Sequence, residues 1–148
     1  MHVVTGRKWV NALHEPTLSN TTMNAPAGIS RERLEHALEH STFAQMLGAE
    51  LLDFEPGKVS LQVLSRPDLC QHHGYIHGAV VGFMVDSGCA WAAASMVGDV
   101  VTSEYKLNLL APAIGEKLIC RSEVLKAGQR QAVCRADVFA VKDGVEKL

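Results

Sequence analysis

With 148 residues, 47% of them hydrophobic and 20% charged, the chain has the composition of one globular domain long enough to bury a core. Fourteen basic and 16 acidic residues are mixed along it for a formal charge of -2, and the absence of a basic block excludes nucleic acid as a main partner. The four cysteines, Cys70, Cys89, Cys120 and Cys134, form no C-x-x-C pair, which fits reduced thiols and a cytoplasmic location better than a disulfide framework.

Residues 1–28 are polar and aperiodic, with Pro16, Pro26 and a Ser-Asn-Thr-Thr run, and read as a flexible leader to a domain over 29–148. Arg7 and Lys8 are followed by no apolar stretch of the kind a secretory signal carries. Ser30 suits a helix N-cap. Leu34, Ala37, Leu38, Phe43, Met46 and Leu47 then recur at helical spacing up to a C-cap at Gly48. A short strand over Leu51–Phe54, a Pro56-Gly57 turn and an alternating Val59-Leu61-Val63 strand follow.

Between Gln71 and Val97 a His-rich loop runs into a long stretch of Ala, Val, Gly, Met, Phe, Cys and Trp interrupted by one acid, Asp86. A helix apolar on every face is a buried one. Its length also invites a transmembrane reading, but a charge at the bilayer centre is unfavourable and Leu and Ile are scarce, so no membrane span is expected. Strands are expected over 100–110, 117–126 and 130–141, with turns at 112–115 and 127–129. Asp143-Gly144 signals a hairpin into a return strand at 145–148. Turns this short require antiparallel pairing. The expected fold is therefore α+β: an antiparallel sheet wrapped around one long central helix.

Burying a carboxyl is unfavourable unless it is paired or used, which makes Asp86 the most informative residue. The start of a buried helix offers free N–H groups and the positive end of its dipole. Gly78 has no side chain to bar an oxygen from its N–H, so it suits the oxyanion of acyl transfer. Asp86 suits a nucleophile or a base that activates water. It lies eight residues beyond Gly78, about 12 Å along the axis at 1.5 Å per residue. A reacting carbon must sit about 3 Å from both groups, so cooperation requires Gly78 of one chain to face Asp86 of another. The bland alternative is an Asp hydrogen-bonded in a core and a Gly chosen for packing.

Gln71, Gly74, His77-Gly78-Ala79 and Asp86 together resemble the hotdog-fold acyl-CoA thioesterases, in particular the group of the phenylacetate-pathway (PaaI-like) thioesterase. That family places an amide residue six positions before a His-Gly-Gly or His-Gly-Ala and an acid nine positions after the His. The likeness covers residues 41–148; Thr102, Pro112 and Gly115 fall on the family's next strand and turn, and Gly128-Gln129-Arg130 on a later turn. The resemblance implies a five- or six-stranded antiparallel sheet around the helix, and a homodimer at least, commonly a homotetramer. It implies Asp86 as base or nucleophile and Gly78 as the amide that polarises the thioester. Gln71 and His77 would orient water, thioester or loop, and Thr102 would hold the attacking water. It implies no metal or redox cofactor. Gln71 departs from the Asn usual in the phenylacetate branch, while the aryl-CoA branch that carries Gln tends to use Glu as its acid, so aryl and short- or medium-chain acyl groups stay open.

Tyr75 and Phe83 are candidates for an acyl pocket or for plain core. Lys126 and Arg130 are candidates for the coenzyme A phosphates, against ordinary surface charge. His36 and His40 have metal-binding spacing, but Glu35 and Glu39 alternate with them as on a solvated face. A non-catalytic acyl-CoA-binding module on the same scaffold is the alternative to hydrolysis, and a hydratase ranks last.

Overall fold

The computed structural model describes residues 28–128 and 130–148, together with the backbone of residues 2–7. Ser30 caps the first helix, α1 (Arg31–His40), its hydroxyl accepting from the Arg33 N–H at 3.4 Å. The Ser30 hydroxyl also holds the Glu32 carboxyl below its usual pKa. Leu34 and Leu38 bury one stripe of α1, and Arg31 pairs with Glu35 on the outside.

The single helix expected up to Gly48 is two helices. Ser41 stops α1 by donating its N–H to the carbonyls of Ala37 and Leu38, and its hydroxyl accepts from Ala44 N–H to start α2 (Thr42–Leu47). A serine that serves both neighbours in this way turns the chain between two helices. Gly48 closes α2 in the left-handed conformation, at φ 66°. Leu47 is buried, whereas Phe43 and Met46 stay exposed.

Strands β2 (Ala49–Glu55) and β3 (Lys58–Leu64) form a hairpin about Pro56-Gly57, and the alternating Val59, Leu61 and Val63 are almost wholly buried. The central helix, α3 (Gly78–Val97), runs unbroken for 20 residues. After it come β4 (Val100–Tyr105), β5 (Lys117–Ala127), β6 (Gln131–Lys142) and β7 (Val145–Lys147). Asp143 and Gly144 both have positive φ, at 51° and 75°, as the tight β6–β7 hairpin requires.

All strands join one antiparallel sheet in the order β2-β3-β5-β6, continued by β1 (His2–Arg7) and β4, with β7 on the free part of β6. The five expected strands and the return strand are therefore present, with β1 as a seventh. The polar leader reading misses β1, whose backbone pairs with both β4 and β6; residues 8–27 of that leader lie outside the described residues. The strand expected over 100–110 ends at Tyr105, where its pairing with β1 ends, and residues 106–116 form a loop.

The sheet curls round α3, whose Val80, Met84, Val85, Cys89, Ala92 and Ala93 fill the core against β3, β5 and β6. Among the described residues α3 is the one helix long and apolar enough to cross a membrane, and it is the core helix here. The buried Ser95 hydroxyl donates to the Ala92 carbonyl at 2.7 Å and accepts from Gly57 N–H at 2.8 Å. This bond ties the β2–β3 turn to the C-terminal end of α3.

Candidate active site

The loop before α3 is built by its own backbone. Cys70 and Ile76 bridge, Gln71 N–H donates to the Tyr75 carbonyl at 2.8 Å, and Gly74 N–H returns to the Gln71 carbonyl at 2.8 Å. Gly74 takes φ 80°, a conformation that side chains resist. The Gln71 side chain serves the loop as well, its Oε1 accepting from His73 N–H at 2.6 Å. Two further bonds fix the exit: His77 N–H to the Leu69 carbonyl at 2.8 Å and Ile76 N–H to the Ala113 carbonyl at 3.0 Å.

His77 is the N-cap of α3. Its Nδ1 accepts from Ala79 N–H at 3.0 Å and its carbonyl from Val80 N–H at 2.9 Å. An Nδ1 that accepts leaves the neutral ring's proton on Nε2, facing outward as a donor. The cap thus uses the N–H groups of Ala79 and Val80, and that of Gly78, the first helical residue, has no acceptor among the described residues. Leu109 of the 106–116 loop covers this corner: a Cβ on Gly78 would lie 3.0 Å from its Cδ1. One turn further, Gly82 lies under the Tyr105 hydroxyl and Leu107.

Asp86 follows two turns beyond Gly78 on the same helix. It is half-buried, and its Oδ1 is buried without a hydrogen-bond partner among the described residues. Buried polar atoms are almost always satisfied, so an orphaned carboxylate oxygen needs an explanation beyond packing. Gln71, His77 and Gly78 are brought together at one end of α3, whereas Asp86 lies about 12 Å along from Gly78 by helical rise. Thr102 is half-buried on β4, at the outer edge of the sheet.

The other candidates scatter. Tyr75 is exposed in the loop, and Phe83 packs edge-on against Phe43 with centroids 5.3 Å apart. Lys126 and Arg130 flank the exposed β5–β6 turn. That turn belongs to the far end of α3, since Val124 N–H donates to the Gly57 carbonyl and Gly57 N–H to Ser95. His36, Glu39 and His40 bring donor atoms within 4.8 Å of one another, all on the exposed face of α1. Contacts that sequence reasoning missed come from the 105–109 segment, where Tyr105, Leu107 and Leu109 lie along the Gly78–Gly82 face. No spacing signal marks them, because a distant part of the chain supplies the contact.

Comparison with known proteins gives a consistent picture. The thioesterase superfamily's sequence pattern matches residues 73–147. A thioesterase family protein from Silicibacter pomeroyi is 34% identical, with 78% of this chain and 88% of that one aligned at a TM-score of 0.76. Zebrafish thioesterase superfamily member 2 is 22% identical, covering 78% of this chain and 86% of that one at a TM-score of 0.66. The PaaI protein of the Escherichia coli phenylacetic acid degradation operon is 20% identical, covering 76% and 81% at 0.64. Among curated proteins no sequence match is found. The match over half the chain, and the Silicibacter likeness on the same wrapped-helix architecture, place this chain in the thioesterase superfamily, with the hotdog fold.

Proposed function

We propose that the chain is a cytoplasmic acyl-CoA thioesterase of the PaaI-like group, active as a homodimer or homotetramer. The observation that carries this reading is the buried Oδ1 of Asp86, without a partner among the described residues, two turns beyond a Gly78 N–H that likewise has no acceptor among them, on one unbroken helix. Because one chain holds the two groups about 12 Å apart, each site combines Gly78 of one subunit with Asp86 of its partner.

In this mechanism the thioester oxygen accepts from the Gly78 N–H at the positive end of α3. Asp86 takes a proton from water as the water oxygen bonds to the carbonyl carbon, and Thr102 holds that water. The oxyanion collapses, the C–S bond breaks, and coenzyme A leaves as a thiolate that recovers the proton, giving a carboxylic acid and free thiol. Direct attack by the Asp86 carboxylate would pass through an anhydride and reach the same products. His77 Nε2–H and the Gln71-braced loop position the thioester, while Lys126 and Arg130 meet the coenzyme A phosphates.

The test is thiol release from a panel of aryl, medium-chain and long-chain acyl-CoA esters. Asp86→Asn should lower turnover at least about a hundredfold, the scale of a lost base, with the oligomer intact. Stoichiometric ester binding without thiol release would instead make the protein an acyl-CoA-binding module.

A further inference from the structure

A largely apolar cavity of about 490 Å³ opens between α3, the 106–116 loop and strands β5, β6 and β7. Val81 and Val85 line it from the helix, Leu109 from the loop, Leu118 from β5, and Val138 and Ala140 from β6. Gly78, Val81 and Val85 follow at three- and four-residue steps, so they share one face of α3. Leu109 belongs to both regions, since it lines the cavity and also covers Gly78. The cavity therefore lies next to the Gly78 corner, with the Leu109 side chain between them. Its size falls in the roughly 300–1,000 Å³ range of small-molecule pockets.

We propose that this cavity holds the acyl chain of the thioester and selects a medium-length aliphatic chain over an aryl group. The inference rests on the thioesterase reading above and adds the class of acyl group. Val, Leu, Ala and Ile side chains make up most of the wall, with Asn108, Asp137, Lys142 and Lys147 also on the lining, and no aromatic ring is among them. Each methylene buried against such walls strengthens binding about fourfold. An aryl group draws its additional selectivity from edge-to-face or offset ring partners. Here the Phe43–Phe83 pair stands outside the lining, as does Tyr75. The acyl-pocket role considered for Tyr75 and Phe83 thus passes to Val81, Val85, Val138 and Ala140.

The test compares acetyl-, decanoyl- and benzoyl-CoA on the wild-type protein and two variants. Val138→Phe fills the cavity from the sheet. Leu109→Ala removes one wall on an exposed loop, where folding is not at stake. Decanoyl-CoA should be the best wild-type substrate of the three, and both variants should lower the decanoyl-to-acetyl ratio of kcat/KM at least about tenfold. A preference for benzoyl-CoA, or an unchanged ratio in both folded variants, would overturn the assignment. If the wild-type protein releases no thiol from any ester, the activity reading fails, and displacement of a fluorescent fatty acid by decanoyl-CoA judges the cavity alone. Binding lost in both variants would then support it, and absence of wild-type binding would end it.

Discussion

Arg121 on β5 reaches across Phe139 to Glu146 on β7, closing two hydrogen bonds of 2.7 Å with its guanidinium 5.0 Å from the Phe139 ring centre. The fork geometry pushes the arginine's pKa up and the glutamate's down, the hydrogen bonds being the leading cause of both. Since β7 pairs with β6 and forms part of the cavity wall, this clamp holds that wall in place.

A carboxylate whose pKa is depressed on folding stabilises the native state above its unfolded value, and the contribution is lost as pH falls through the lower, folded value. Amide hydrogen exchange in Val145–Lys147 should therefore quicken as pH falls below about 4, once intrinsic exchange is corrected for, and should be fast already at pH 7 in Glu146→Gln. Both partners are substantially exposed, so global stability should barely change.

Asp86 should show the opposite relation between activity and stability to that of a structural aspartate. Because its buried Oδ1 has no partner among the described residues, Asp86→Asn breaks no hydrogen bond at that atom. Its melting temperature should equal or exceed that of the wild type while turnover collapses. A fall of several degrees would reveal a structural bond and return Asp86 to the core.

Gly88 is fixed by packing. A Cβ there would collide with the Ser122 hydroxyl and lie 3.3 Å from Cys120 Sγ, and both neighbours are buried. Gly88→Ala should destabilise the protein by about 1–3 kcal/mol, measured by denaturant unfolding. Adding Ser122→Gly should recover part of that loss if the collision is its source.

The thiols should divide by burial. Cys89 is pushed well above the usual thiol range by its hydrogen bond with Cys134 and by burial, and burial pushes Cys120 up to about 11. Cys70 alone is half-buried, the other three being fully buried. An aromatic disulfide reagent at pH 8 should label one thiol per native chain and four per unfolded chain, and Cys70→Ser should abolish the native reaction.

Local chemistry explains what could be read from the sequence. Gly48, Pro56-Gly57 and Asp143-Gly144 dictate particular backbone angles, and Val59-Leu61-Val63 states its burial by alternation alone. The uniformly apolar run after His77 could only be a covered helix. The errors share another cause. Residues 106–110 alternate as well as many strands do, yet pair with no strand among the described residues. In the first residues, pairing with β4 and β6 makes a strand of a segment whose polarity argued for none. Ser41 is ambiguous in the same way, since only its simultaneous bonds to both sides reveal a break. At the site, Asp86 and Gly78 stood out by type and spacing, whereas Leu109 and the cavity arise from chain crossings that no linear pattern records.

The uniform greasiness of α3 has a consequence for how the polypeptide is made. When this helix leaves the ribosome only β1, β2 and β3 of the sheet precede it, and its main cover, β5 and β6, is still to be synthesised. For that interval the nascent chain carries a sticky rod with no hydrophilic side to offer water, a natural client for a holding chaperone. Folding must then wait for pairings distant in sequence, which are slow to form. Fragments ending soon after Val97 should accumulate as aggregates.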